Sequence, residues 1–191
     1  MVFGMLNYRG VLINRCKGVY EPAEDTFLLM DSIECGQDVL EIDTGTGIIS
    51  IYCAIKGSRC TATDINDKAL ECARSNAGLN GVKVEFTHSD LFQNIRGKYD
   101  TIIFNPPYLP TDDNIEESEQ WDGGPDGFRL IRPFLNRSPQ FLKKNGELYL
   151  VLSDLTDIDS LIGEFKNYNF NKLGEDTFES ERIMVFSARP A

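Results

Sequence analysis

A chain of 191 residues with 41% hydrophobic and 26% charged residues has the size and composition of one soluble globular domain, residues 1–191, long enough to close a single core. No apolar run approaches the roughly 18 residues of a membrane span, and the opening MVFGMLNYRG lacks the charged-then-apolar layout of a signal peptide, which predicts a cytoplasmic protein. A formal net charge of -11 argues against a nucleic-acid partner, because proteins that hold phosphate backbones usually present a basic face, and favours a small-molecule ligand or a basic protein partner.

In chain order, residues 8–20 alternate around a glycine turn and predict an N-terminal hairpin. PAEDTFLLMDSI (22–33) reads as a helix, with Pro22 suited to a first turn and Glu24 and Asp25 near the positive end of the dipole. Hairpin and helix make up 1–36. From 37 onward strands alternate with helices: 37–43 strand, 47–57 helix, 59–64 strand, 66–80 a helix opening on Asn66, 82–88 strand, a short irregular helix, and 99–105 strand. A helical stretch broken by Pro133 and Pro139 leads to a strand at 146–153 and a helix at 157–168. NFNKLGEDT and RIMVFSAR follow as strands close enough in sequence to pair antiparallel. This order predicts an α/β fold with a doubly wound, mainly parallel sheet that binds ligands at the carboxyl ends of its strands. The five cysteines, Cys16, Cys35, Cys53, Cys60 and Cys72, form no CxxC pair and are odd in number, so they read as reduced packing thiols rather than a disulfide framework or a zinc site.

Four consecutive strand ends carry polar groups. The first runs Glu41-Ile42-Asp43-Thr44-Gly45-Thr46-Gly47, a turn that lets backbone approach a ligand or that merely turns tightly. Asp64 follows Gly47 near the roughly 20-residue spacing at which an acid meets a ribose, and could equally cap the helix from Asn66. Asp90 and Leu91 come next, suited to an adenine amine and its ring, or to another helix cap. The fourth strand stops on Asn105-Pro106-Pro107-Tyr108. Each feature alone has a plain structural explanation; four in succession point to one site.

EIDTGTG, Asp64, Asp90 and NPPY together resemble the Rossmann-like class I S-adenosylmethionine-dependent methyltransferases, NPPY marking the branch that methylates planar nitrogens conjugated to a π system. VYEPAEDTFLL (19–29), NPPYLP (105–110) and WDGGPDGFRLI (121–131) narrow the resemblance to the HemK-like glutamine methyltransferases of class-1 translation release factors. They are most similar to the short archaeal and eukaryotic branch. The resemblance implies that Glu41 and Asp43 hold the methionine part of the cofactor, with Gly45 and Gly47 in the loop, Asp64 on the ribose and Asp90 with Leu91 on the adenine. Thr26 and Asn105 would also line the cofactor site, the product being S-adenosylhomocysteine. Asp43 stands where the family usually has its first loop glycine; an Asp tolerates unusual backbone angles, but its added carboxylate predicts weakened, not lost, cofactor binding.

A carboxamide nitrogen is a poor nucleophile, and positioning it matters more than acid or base. The Asn105 side-chain oxygen and the Pro106 carbonyl are expected each to accept one N–H of the target amide. Pro106 and Pro107 would fix that carbonyl, and Tyr108 would offer a ring face. The lone histidine, His88, has no nucleophile context and reads as structural. Trp121 would stack on substrate or anchor the loop around Gly123 and Gly124. Asp112, Asp113, Glu116, Glu117, Glu119, Asp122 and Asp126 form a run without Lys or Arg just after NPPY. Such a run is either a solvated face or a field that draws a basic peptide and repels phosphates. The resemblance further implies a small zinc-ribbon activator subunit at the sheet edge near Val82, Val84 and Phe86. Two alternatives stay open: methylation of an adenine or guanine exocyclic amine in nucleic acid, and a noncatalytic cofactor-binding scaffold.

Overall fold

The computed structural model describes residues 4–110 and 123–191. A hairpin of β1 (Leu6–Tyr8) and β2 (Val11–Ile13) opens the chain. It turns through Arg9 and Gly10 at φ 49° and 84°, the left-handed pair that matches a two-residue turn to strand twist. It is shorter and earlier than the pattern over 8–20 predicts. Residues 14–20 instead run on as an irregular strap toward α1 (Glu24–Ser32).

β3 (Asp38–Ile42), α2 (Ile48–Ile55), β4 (Arg59–Asp64), α3 (Asp67–Leu79), β5 (Val84–His88) and β6 (Tyr99–Phe104) follow, each boundary within two residues of its expected place. Asn66 caps α3 as its position predicts, its side chain accepting from Lys68 N at 3.0 Å. The short helix expected after β5 is a run of turns instead. The remaining elements are α4 (Ile131–Arg137), β7 (Leu142–Ser153), α5 (Ile158–Glu164), β8 (Tyr168–Phe178) and β9 (Glu181–Pro190). Pro133 does not break α4, because it sits in the first turn, where a missing N–H costs no intrahelical bond.

The seven main strands order as β5-β4-β3-β6-β7-β9-β8, and only β9 runs antiparallel to its neighbours. Chain order reverses direction between β3 and β6, so the crevice at that switch point lies between the ends of two parallel strands in register, Ile42 opposite Phe104. Period-2 alternation sends side chains to two cores. Leu40, Ile42, Ile102, Phe104, Leu148 and Leu150 face one core, with Phe134 of α4 and Leu161 of α5. Val39, Ile103, Tyr149 and Val151 face the other, with Leu29 and Met30 of α1 and Ile48 and Ile51 of α2. Glu41 and Asn105 continue the second set, so both emerge on the side where α1 and α2 begin.

The cysteines differ from the sequence-based expectation. Cys16 pairs with Cys72 and Cys35 with Cys53, at Cα separations of 6.1 and 5.6 Å, leaving Cys60 buried as the free thiol. An odd count and the lack of CxxC spacing do not exclude pairing between elements that only the fold brings together; Cys16–Cys72 ties the strap to α3. No helix among the described residues is long and apolar enough to cross a membrane.

Candidate active site

The glycine turn after β3 is built from left-handed residues: Asp43 and Gly45 both lie at φ 55°, and Gly47 at φ 83° opens α2. Asp43 thus adopts the angle that a glycine would take freely. Gly47 has a packing role, since a Cβ there would come within 2.8 Å of the Ala73 Cβ on α3. Glu41 braces the turn from beneath. It is 2% exposed, and its Oε2 accepts from the Thr44 hydroxyl at 2.6 Å and from Ser50 N at 3.0 Å, satisfying an N–H in the first turn of α2. Burial pushes its pKa up to about 7 against these donors, Asp64 adding repulsion. Burial, then the carboxylates of Asp64, Asp90 and Glu41, push Asp43 up to about 8.

At the end of β4 the buried Asp64 carboxylate takes one backbone N–H on each oxygen, Gly45 at 3.0 Å on Oδ2 and Asn66 at 2.9 Å on Oδ1. Burial raises its pKa, while the N–H groups of Asn66, Gly45 and Ile65 hold it back. A carboxylate held on two oxygens keeps lone pairs for a diol. Asp90 is exposed at the rim, and Leu91 beside it is buried at φ 45°, a conformation that costs a non-glycine residue on the order of 1–3 kcal/mol and concentrates at ligand sites.

These groups share one cavity of about 980 Å³, at the upper end of the roughly 300–1,000 Å³ of small-molecule sites. Of the residues singled out from sequence, Asp43, Gly45, Asp64, Asp90, Leu91, Asn105, Pro106, Pro107 and Tyr108 line it. Thr26, Glu41 and Gly47 stand behind the lining and shape it. His88 ends β5 opposite Asp64. Trp121 and the acidic positions 112, 113, 116, 117, 119 and 122 lie outside the described residues. Asp126 is described, and it pairs with Arg132 at 2.7 Å.

The sequence reading missed several contributors. Val19 and Tyr20 of the strap form a wall. Ile65, 60% exposed beside Asp64, offers an apolar face, its signal being an aliphatic residue directly after a strand-end acid. Asp25 lines the floor and connects to the fourth strand end.

There the Asn105 Nδ2 donates to Asp25 Oδ2 at 3.0 Å and to Thr26 Oγ1 at 3.4 Å, while Asn105 Oδ1 is buried without a partner. A buried, unpaired acceptor is costly and calls for a missing donor. Burial raises the Tyr108 pKa, with Asp25, Glu181 and Glu24 adding to the shift, so its ring stays neutral. The glycines at 123 and 127 have a packing reason here: a Cβ on Gly123 would lie 2.9 Å from Tyr108 C, and one on Gly127 would lie 2.6 Å from Tyr108 O. Only glycines let this loop lie directly against the NPPY backbone. The residues present fit the bound group that resemblance implies: Asp64 would accept from hydroxyls and Asp90 from an amine, while Ile65 and Leu91 offer apolar faces for a ring.

Residues 23–175 match the family model described as methyltransferase small domain. A Methanocaldococcus jannaschii protein named as a protein N5-glutamine methyltransferase is 42% identical over 87% of this chain and 88% of its own length. The Mus musculus methyltransferase HEMK2 is 36% identical over 71% of this chain and 72% of its own. Among solved structures, a chain of the E. cuniculi Mtq2–Trm112 complex, responsible for methylation of the eRF1 translation termination factor, superposes with a TM-score of 0.71. It is 28% identical and the match covers 91% of this chain and 99% of that one.

Proposed function

The chain belongs to the protein glutamine methyltransferases of the methyltransferase small domain family, and on that premise we propose that its substrate is the glutamine of the Gly-Gly-Gln motif in a class-1 release factor. The observation that carries this reading is the orphaned Asn105 Oδ1 at the meeting of the cofactor wall and the Pro106–Pro107 turn. A primary carboxamide brings two N–H donors and a planar π face. The Asn105 Oδ1 accepts one donor, the Pro106 carbonyl accepts the other, and Tyr108 covers the plane. Both acceptors interact more strongly with a nitrogen that is becoming positive than with the neutral amide, so they lower the barrier and not only the ground state.

S-adenosylmethionine, when bound, supplies an activated sulfonium methyl. Asp64 holds its ribose hydroxyls, Asp90 and Leu91 its adenine, and Asp43 and Gly45 border its methionine part, with Glu41, Thr26 and Gly47 fixing these positions from behind. Burial and the neighbouring carboxylates raise the Asp43 pKa, which favours its protonated form, and a protonated carboxyl can donate to a cofactor carboxylate rather than repel it.

An activator resembling the Trm112 of the E. cuniculi complex is the further partner we assign, at the edge of β5. Val82, Val84 and Phe86 pack against this chain's own second core, so their alternation is already used. What supports a docked strand is that β5 ends the sheet with no strand on its outer side among the described residues. Asn105→Ala tests the catalytic reading: turnover falls by about 100- to 1,000-fold, while the dissociation constant for S-adenosylhomocysteine, by calorimetry, stays within about threefold. Turnover near the wild-type rate refutes it.

A further inference from the structure

An asparagine amide can sit in two orientations related by a half-turn, and only one presents an oxygen to an incoming N–H. Nothing intrinsic to Asn105 chooses between them. With Nδ2 toward the pocket, its own N–H groups would oppose the donors of the substrate amide. We propose that Asp25 is a positioning residue that locks Asn105 in the productive orientation. This deepens the functional reading above and rests on it for the identity of the substrate.

Asp25 occupies the first turn of α1, where an acid is common as a dipole partner on an exposed surface. Here it is 5% exposed and reaches a residue 80 positions away. All of its side-chain partners are donors. Oδ1 accepts from the Tyr20 hydroxyl at 2.7 Å, Thr26 N at 2.6 Å and Thr26 Oγ1 at 3.1 Å; Oδ2 accepts from Tyr20 at 2.9 Å and from Asn105 Nδ2 at 3.0 Å. An ionised carboxylate is an acceptor only, so it can take the Asn105 amine and can never take its oxygen. Thr26 Oγ1 lies within reach of the same Nδ2, so the amine has an acceptor on each hydrogen. The oxygen is thereby turned away from Asp25 and Thr26, and it is buried without a partner in a residue that lines the cavity. The strap supports this from the other side: Tyr20 donates to both carboxylate oxygens, and its own pKa is raised by burial and by Asp25, which keeps the phenol a donor.

The test is a double-mutant cycle at 25 and 105. Asp25→Asn places a side chain that can itself donate to Asn105 Oδ1, so the unproductive orientation becomes available and turnover falls at least tenfold, with the S-adenosylhomocysteine affinity within threefold. In an Asn105→Asp background the side chain presents an oxygen whichever way it turns, and Asp25 only repels it. There, Asp25→Asn raises turnover. A residue needed only for folding lowers turnover in both backgrounds, and that result overturns the proposal. A readout independent of substrate is the side-chain NH2 signal of Asn105 in asparagine-labelled protein by NMR. It exchanges slowly in the wild type and loses that protection in Asp25→Asn; protection that survives the substitution also overturns the proposal. Wild type that shows the protected amide but transfers no methyl to glutamine leaves the orienting role standing and defeats the substrate assignment alone.

Discussion

Asp64→Asn changes one oxygen into an amine and leaves the side-chain shape almost intact. In the structure both oxygens are committed, one to Gly45 N and one to Asn66 N. The new amine must therefore face a backbone donor, whichever way the amide turns, and a buried donor left unpaired costs about 1–3 kcal/mol. That cost falls on the free protein and appears as a lower urea midpoint. Cofactor binding suffers separately, because two charge-assisted bonds to a ribose diol become at most one neutral bond, a loss of about 2–3 kcal/mol, or roughly 30- to 150-fold in Kd. Titration calorimetry with S-adenosylhomocysteine reads this directly, and kcat at saturating cofactor is predicted to change little, because the contact proposed for Asp64 is to the ribose and not to the transferring methyl. An affinity within threefold of wild type, in a variant that is folded, refutes the assignment of Asp64 to the ribose.

Three other outcomes follow from the geometry. Glu41 holds its proton more tightly folded (about 7) than unfolded (4.5), so the native state binds more protons and its contribution to stability is lost as pH rises through that interval. Glu41→Gln should gain on wild type by about 2–3 kcal/mol in urea unfolding between pH 4.5 and pH 8, and parallel pH curves contradict this. Gly127→Ala puts a Cβ against Thr156 and 2.6 Å from Tyr108 O at φ 80°, which predicts a loss of about 2–4 kcal/mol of unfolding free energy by urea denaturation together with reduced turnover. Wild-type stability would contradict that packing. Cys16→Ser opens a crosslink between residues 56 apart, for which chain entropy gives about 4 kcal/mol relative to the oxidised wild type; equal unfolding midpoints contradict a formed bond.

The alternation of strands and helices was legible because the central strands β3, β6 and β7 are apolar enough to be buried on both faces and the turns between elements carry their own punctuation. The four strand ends were legible for a related reason, since polar residues that close buried strands stand out. What was hidden depends on distance across the fold. Asp25 reads locally as a dipole partner for α1, and nothing in PAEDT shows that it meets a residue in β6's terminal turn. Glu41 reads as a ligand group, and nothing local shows that alternation also turns it under the loop, where it accepts from Ser50 N in the first turn of α2. Cys16 and Cys72 meet only because the strap crosses α3, a path that no spacing rule encodes. Ile65 was passed over because an aliphatic residue next to an acid is ordinary, and only its exposure within the cavity sets it apart.

The most direct measurement is transfer of labelled methyl from S-adenosylmethionine to a recombinant class-1 release factor, with a Gly-Gly-Ala variant of the target as control and with or without a zinc-ribbon activator. The account predicts label on the Gly-Gly-Gln protein, located by mass spectrometry on the glutamine side chain, and none on the control. Equal label on both proteins, or none on either from enzyme shown to bind S-adenosylhomocysteine with the activator present, would contradict it.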